Sequence, residues 1–305
     1  MEPCRGRVAG QPDTVSNRRE LDQRRRVLGD IREIMSAMKT LAYMETRKLD
    51  RTMGAQRAVV GQIETIAEDF LGCYPETLPP ADGLKPVCLL LGSERGFCGD
   101  FNHQLLASWR SSRAEARMEE SPVIATGRKL HILLEGAPEV VAWIDGCNLA
   151  EEAETTLGKI IQTLEELRRP GEPLSLTVFH HDPEQKRVCM SDVLPPFHRY
   201  RGPKPSCLQP PVLNLSADRF LAELVDHYLF ARLHEIIHAS LMAENLRRVE
   251  HLEAAVRHLD KKAADLRRRC NALRQEEIIE EIEVILLSGV GPGPGEWKGS
   301  GGPAR

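Results

Sequence analysis

Aromatic residues are scarce, at 5% of the 305 positions, too few for a base-stacking platform or a carbohydrate cleft lined with rings. No apolar run approaches the roughly 18 consecutive residues that a membrane-spanning helix requires. The N-terminus, with Cys4, Arg5, Arg7 and Pro12, has no apolar stretch of the kind a secretory leader carries. A charge excess is missing too, since 41 Lys and Arg face 45 Asp and Glu for a net charge of -4. There is thus no overall basic field, and no nucleic-acid partner is expected. The eight cysteines, at 4, 73, 88, 98, 147, 189, 207 and 270, include no C-x-x-C pair and no histidine at zinc spacing, so neither a disulfide framework nor structural zinc is expected. They read as reduced thiols in a reducing compartment, with Cys88 and Cys270 acting as small hydrophobes. His180 and His181 beside Asp182, and His234 with His238, lack an H-E-x-x-H pattern and read as surface or packed histidines, so no metal site is expected. These features describe a soluble, cytoplasmic chain.

What the sequence has instead is a stretch, 212–288, with neither Gly nor Pro and rich in Leu, Ala, Glu and Arg. As one helix it would reach about 115 Å at 1.5 Å per residue. Met242, Asn245, Val249, Leu252, Val256, Leu259, Ala263, Leu266, Cys270 and Leu273 follow alternating steps of three and four, the narrow seam of a coiled coil. A second helix is expected over about 20–70. Its heptad register runs through Leu28, Ile31, Met35, Met38, Ala42, Leu49, Val59, Ile63, Ile66 and Phe70, broken at Glu45, Thr52 and Gln56. Gly29, Gly54 and Gly61 each cost about 1 kcal/mol inside a helix, so tertiary packing must hold it, with the C-terminal helix as its natural partner. Residues 18–51 carry ten Lys or Arg against six Asp or Glu, a basic helix suited to an acidic partner or simply a solvated face.

Between the helices the texture changes. Apolar runs at 87–91, 123–125 and 140–143 alternate with helical stretches near 101–117, 127–135 and 150–169, which predicts a mostly parallel sheet covered on both faces. Strands at 174–180 and 186–193, joined through His181-Asp182-Pro183-Glu184, read as a hairpin.

The turn Leu91-Gly92-Ser93-Glu94-Arg95-Gly96-Phe97-Cys98-Gly99-Asp100 joins a buried strand to a helix, where phosphate-binding loops often sit. It has neither G-K-[ST] nor G-x-G-x-x-G spacing, so no nucleotide or other cofactor is expected. Its glycines read as positions that permit a sharp turn and close helix packing. Ser93, Cys98 and Asp100 lack a nucleophile elbow and a positioned histidine, and no catalytic residue is expected.

Three separated segments resemble the gamma subunit of F-type ATP synthases, the central rotor shaft. Leu28 to Ala42, with Ala37-Met38-Lys39, is similar to that family's N-terminal helix. Ser93-Glu94-Arg95-Gly96-Phe97-Cys98-Gly99-Asp100-Phe101-Asn102 resembles its S-[DE]-[RK]-G-[LF]-C-G-x-[FY]-N turn. Ser240 to Val249, followed by Asn271 to Ile278, resembles its C-terminal helix. Residues 276–287 look like a divergent bacterial class of these enzymes.

The resemblance implies an α+β fold: a long antiparallel two-helix coiled coil of N- and C-terminal helices with an inserted Rossmann-like α/β domain. The expected boundaries are a disordered extension over 1–18, helices over 19–72 and 209–288, the globular domain over 73–208 and a disordered Gly/Pro-rich tail over 289–305. It also implies a non-catalytic subunit present in one copy per complex. Its partners would be the alpha and beta subunits of the catalytic hexamer, the epsilon subunit and the membrane c-ring, at the cytoplasmic face of the cell membrane. Met38 and Lys39 would pass an acidic loop of a beta subunit, and Arg274 and Gln275 would hydrogen-bond its catch loop. Ser93, Arg95, Gly96, Cys98 and Gly99 carry the family's turn. Ile279 stands where the family has Thr, removing one polar contact, and no redox-switch segment is present. Two other readings stand beside this one. A self-contained coiled-coil adaptor would form homodimers, and a small α/β enzyme with helical arms would bind nucleotide at the turn.

Overall fold

The computed structural model describes residues 13–80, 83–115, 121–168, 172–200 and 211–289. Two helices, α1 (Asp13–Cys73) and α5 (Ala217–Gly289), flank a five-stranded sheet. Its strands are β1 (Lys85–Leu91), β2 (Val123–Thr126), β3 (Val140–Ile144), β4 (Leu174–Asp182) and β5 (Arg187–Leu194). Three shorter helices join them: α2 (Phe101–Glu115), α3 (Arg128–Leu134) and α4 (Ala153–Leu167). The sheet order is β3-β2-β1-β4-β5. The first four strands pair in parallel and β5 returns antiparallel to β4, as the sequence led us to expect.

The chain divides into two compact units, one of Ser36–Ala254, the other of residues up to Met35 together with those from Ala255 on. In the first, strand alternation builds two cores. Cys88 and Leu90 of β1 face Leu105, Leu106 and Trp109 of α2 and Leu130 and Leu134 of α3. Val87, Leu89 and Leu91 face Leu157, Ile160 and Leu164 of α4 together with Leu233, Ile236, Ile237 and Leu241 of α5. The crossover to β4 therefore changes face where the strand order reverses, as right-handed connections require. Gln56 bonds His238, Glu64 bonds Tyr228, and the rings of Phe70 and Phe220 lie 4.7 Å apart, so α1 and α5 run antiparallel in this unit. The β4–β5 turn is tied by Asp182, whose Oδ1 accepts the N–H groups of Glu184 and Gln185, each at 2.8 Å.

The expected seam on α1 is half right. Ala42, Leu49 and Phe70 are buried, but Val59 and Ile66 are each 48% exposed, while Thr46, Met53, Val60 and Ala67 are buried. The inward positions shift by one residue in every second step, and apolar neighbours at 59/60 satisfy either register by composition alone. In the second unit, Arg18 pairs with Glu277 and Arg32 with Asp260, again antiparallel. Cys270 is buried, Leu259, Ala263, Leu266 and Leu273 are half-buried between exposed neighbours, and Val256 is half-buried beside a half-buried Ala255, as the C-terminal spacing predicts.

Two further differences concern the ends and the thiols. Helix α1 begins at Asp13, ahead of the expected start at 19, and α5 begins at Ala217, after the expected start at 209. The remainder of the two expected disordered tails, 1–12 and 290–305, lies outside the described residues. Cys88, Cys98, Cys147, Cys189 and Cys270 are free, whereas Cys73 is disulfide-bonded, contrary to the expectation of reduced thiols throughout.

Candidate functional site

The strand order puts the carboxyl ends of β1 and β4 at the point where successive connections leave in opposite directions, the place where open α/β sheets form a crevice. The turn 92–100 leaves β1 there. A side chain at Gly92 would lie 2.4 Å from Cβ of Leu130, and one at Gly127 (φ +94°) would lie 2.7 Å from the carbonyl oxygens of both Gly92 and Ser93. The ends of β1 and β2 thus touch backbone to backbone, and only glycine permits it. Gly99 adopts φ +65°, whereas a Cβ on Gly96 would meet only Cε of Lys129, at 3.7 Å. The expectation that turn glycines allow a sharp bend and close packing holds at Gly92 and Gly99, not at Gly96.

Inside the turn the polar groups are consumed. The Ser93 N–H donates to Oδ1 of Asn102 at 2.9 Å, and Nδ2 of Asn102 donates to Oγ of Ser93 at 2.8 Å. The Cys98 thiol donates to the same Oγ at 3.3 Å, and burial pushes that thiol's pKa up. The Gly92 N–H donates to the carbonyl of Thr126. The Glu94 carboxylate is buried and accepts the N–H groups of Arg128 at 2.9 Å and Gly146 at 3.0 Å, tying the turn to α3 and to the loop after β3. These backbone donors are therefore committed within the protein rather than presented to a phosphate. Ser93 is held by the Asn102 amide, and Cys98 by the Ser93 hydroxyl and the Arg95 carbonyl at 3.7 Å, none of them a general base, so the arrangement suits fastening rather than nucleophilic catalysis.

The turn is fastened to α5. Glu244, Asn245 and Arg248 are respectively 4%, 2% and 6% exposed. Arg248 donates through Nε to the Gly96 carbonyl at 3.1 Å, through Nη1 to Oδ1 of Asn245 at 2.7 Å, and through Nη2 to the Glu244 carboxylate. Glu244 stands against the backbone of Arg95. Burial pushes its pKa up to about 7, against the opposing pull of Arg248. The neighbouring Cys147 thiol is pushed up to about 12 by burial and then by the charge of Glu244. Arg247 reaches Oε1 of Gln104 at 3.3 Å, and Lys186 reaches Glu250 at 3.3 Å.

Of the residues singled out from the sequence, Ser93, Gly96 and Cys98 converge here, with Arg95 contributing its backbone and exposing its side chain. Met38 and Lys39 are half-buried on α1 in the Ser36–Ala254 unit, while Arg274 and Gln275 are exposed on α5 in the other unit. His180 is packed, with Nε2 at 3.0 Å from Oγ of Ser191. His181 stacks on Phe101 and bonds its carbonyl at 2.9 Å. Sequence reasoning missed Glu94, Asn102, Gly127, Glu244 and Arg248 as parts of one cluster. The i, i+4 spacing of Glu244 and Arg248 is the one signal that could have found the pair.

Residues 17–290 match a family described as ATP synthase. The chain is 24% identical over 276 residues to an ATP synthase gamma chain of Clostridium perfringens, spanning 88% of this chain and 95% of that one. It is 21% identical to the gamma chain of Clostridium beijerinckii over the same shares. Its fold is similar to a chain in the rotor of the Euglena gracilis mitochondrial ATP synthase (TM-score 0.57, 12% identity, 86% of this chain and 99% of that one). It is also similar to one in the central stalk and c-ring structure from Tetrahymena thermophila (TM-score 0.53, 13% identity, 73% and 99%). With the sheet, the turn, α5 and all but the first four residues of α1 inside the matched span, the chain belongs to the ATP synthase gamma-chain family.

Proposed function

We propose that this chain is the rotor shaft of an F-type ATP synthase, itself without a catalytic site or cofactor, coupling ion flow across the membrane to ATP synthesis or hydrolysis. Helices α1 (Asp13–Cys73) and α5 (Ala217–Gly289) form an antiparallel coiled coil in this reading, and a Rossmann-like domain is inserted between them. The antiparallel ion pairs and half-buried seam support the coil, and the β3-β2-β1-β4 parallel order supports the domain type. One copy threads an alpha/beta hexamer and meets the epsilon subunit and the c-ring. No described helix is long and apolar enough to cross a membrane. Attachment is therefore peripheral in this reading, at the cytoplasmic face, through the complex.

A shaft does its work by contacting the three catalytic subunits differently at each angle, so that rotation shifts their nucleotide affinities. Met38 and Lys39 are proposed to pass an acidic loop of a beta subunit, and Arg274 and Gln275 to bond its catch loop. Both members of the second pair are exposed, and a guanidinium suits paired charge-assisted bonds. Ile279, 56% exposed, offers no polar contact there.

The observation that carries this reading is family membership running through both terminal helices and the sheet. Co-expression with the alpha and beta subunits, followed by size-exclusion chromatography and an ATPase assay, tests it. One copy in a single complex whose sustained turnover needs the chain is expected. A discrete homodimer without complex would overturn it.

A further inference from the structure

The bonds between the β1–α2 turn and α5 have a mechanical meaning beyond family membership. The sheet meets α5 mainly through Leu233, Ile236, Ile237 and Leu241. Apolar contact is strong but non-directional, so it resists separation better than it resists turning of the helix about its own axis. Directional bonds are needed to fix that angle. They are concentrated within two helical turns. Arg248 grips the Gly96 carbonyl, Arg247 reaches Gln104 of α2, and Lys186 of the β4–β5 turn reaches Glu250. These partners come from three separate elements of the globular part. At the centre sits a charge pair removed from solvent, where competing water does not weaken the bonds.

We infer that Glu244 and Arg248 form a rotational key, positioning residues that lock the angle of α5 to the α/β domain and so carry torque between domain and helix. The inference rests on the rotor-shaft reading. A fully packed core does not require this pair, since apolar side chains of similar volume commonly replace a buried ion pair without loss of fold. What such a replacement removes is the bond to the turn.

The test uses the complete ATP synthase in sealed vesicles and reads ATP hydrolysis and ATP-driven ion pumping in parallel. Two variants are compared with wild type. Glu244→Leu combined with Arg248→Met fills the space and deletes the key. Arg248→Lys keeps the buried charge and loses the simultaneous reach to Gly96, Asn245 and Glu244. Both are expected to hydrolyse ATP while pumping per ATP falls, with the larger loss in the double variant. Glu244→Gln, which keeps one acceptor oxygen for Arg248 while giving up the charge, should keep most of the ratio. A wild-type ratio of pumping to hydrolysis in both the double variant and Arg248→Lys overturns the key. If the double variant does not assemble, Arg248→Lys alone decides in the same way. Failure of the wild-type chain to assemble or pump would instead count against the rotor-shaft reading.

Discussion

Nδ2 of Asn102 donates to Oγ of Ser93 at 2.8 Å while its Oδ1 accepts the Ser93 N–H at 2.9 Å, so one buried amide closes the turn after β1 from both sides. Asn102 is the second residue of α2, and its side chain does there what a backbone ladder does elsewhere. Replacing it with Leu leaves the buried Ser93 N–H without its partner, at about 1–3 kcal/mol, while the Ser93 hydroxyl keeps the Cys98 thiol. Asn102→Leu is expected to lower the denaturant midpoint of the full chain, with Asn102→Asp less harmful. An unchanged midpoint would show that water or a neighbour takes over the lost bond.

The glycines separate cleanly. Gly127→Ala forces a side chain into positive φ and into the carbonyls of Gly92 and Ser93, and should cost several kcal/mol, about the upper range for single substitutions. Gly96→Ala meets only the end of Lys129 and should change stability by no more than about 0.5 kcal/mol. Thermal unfolding of the two variants measured side by side checks the contrast, and equal shifts would refute it.

How much of this was legible in the sequence differs by element. The strands were, because Val87 to Leu91 is apolar without interruption and such a run needs cover on both faces. The C-terminal seam was, because 212–288 offers no Gly or Pro to break a heptad. The α1 register was not fully legible: Val59 and Val60 are adjacent and chemically equal, and only packing chooses Val60. Exposed Leu41 and Met44 (65% and 63%) compound the ambiguity. The cluster behind the turn was hidden for a different reason. Glu244 and Arg248 carry the composition of a solvated helix face, and burial is a tertiary fact that the i, i+4 spacing does not disclose. Gly127 gave no warning, since its partners lie 34 or more residues away in sequence at Gly92 and Ser93.

Acid should destabilise the Ser36–Ala254 unit through its buried histidines. Burial lowers the pKa of His180 and of His238 to about 4, from an ordinary 6.5. Between these values the unfolded chain binds protons that the folded one does not, so stability falls as pH drops from 6.5 to about 4. The loss for His180 is on the order of 3 kcal/mol at full titration. Glu244 works in the opposite sense. Its raised pKa makes the folded state the better proton binder between about 4.5 and 7, and its contribution therefore grows as pH falls across that window. Burial lowers the pKa of His181 and His234 as well, so the histidines outweigh the one carboxyl and the net expectation is a lower melting temperature at pH 5 than at pH 7. His180→Gln should flatten that slope, and a slope identical to wild type would remove His180 from the account.

Arg274 and Gln275 are exposed on α5, so their replacement by Ala should leave the melting temperature of the free chain within about 1–2 °C, as surface changes do. In the assembled complex the same double variant should slow hydrolysis and pumping together, on the order of tenfold for about 1.4 kcal/mol of lost charge-assisted bonding. Steady-state assays of purified complex decide it, and wild-type rates would withdraw both residues from the beta-subunit contact.

The most direct test of the rotor account is observation of rotation itself. A bead attached through Ser111→Cys, an exposed position on α2, would be followed under the microscope in a surface-fixed complex of this chain with the alpha and beta subunits. The account predicts unidirectional stepping that starts with ATP and stops when it is removed. A bead that stays fixed while the same complexes hydrolyse ATP would contradict it.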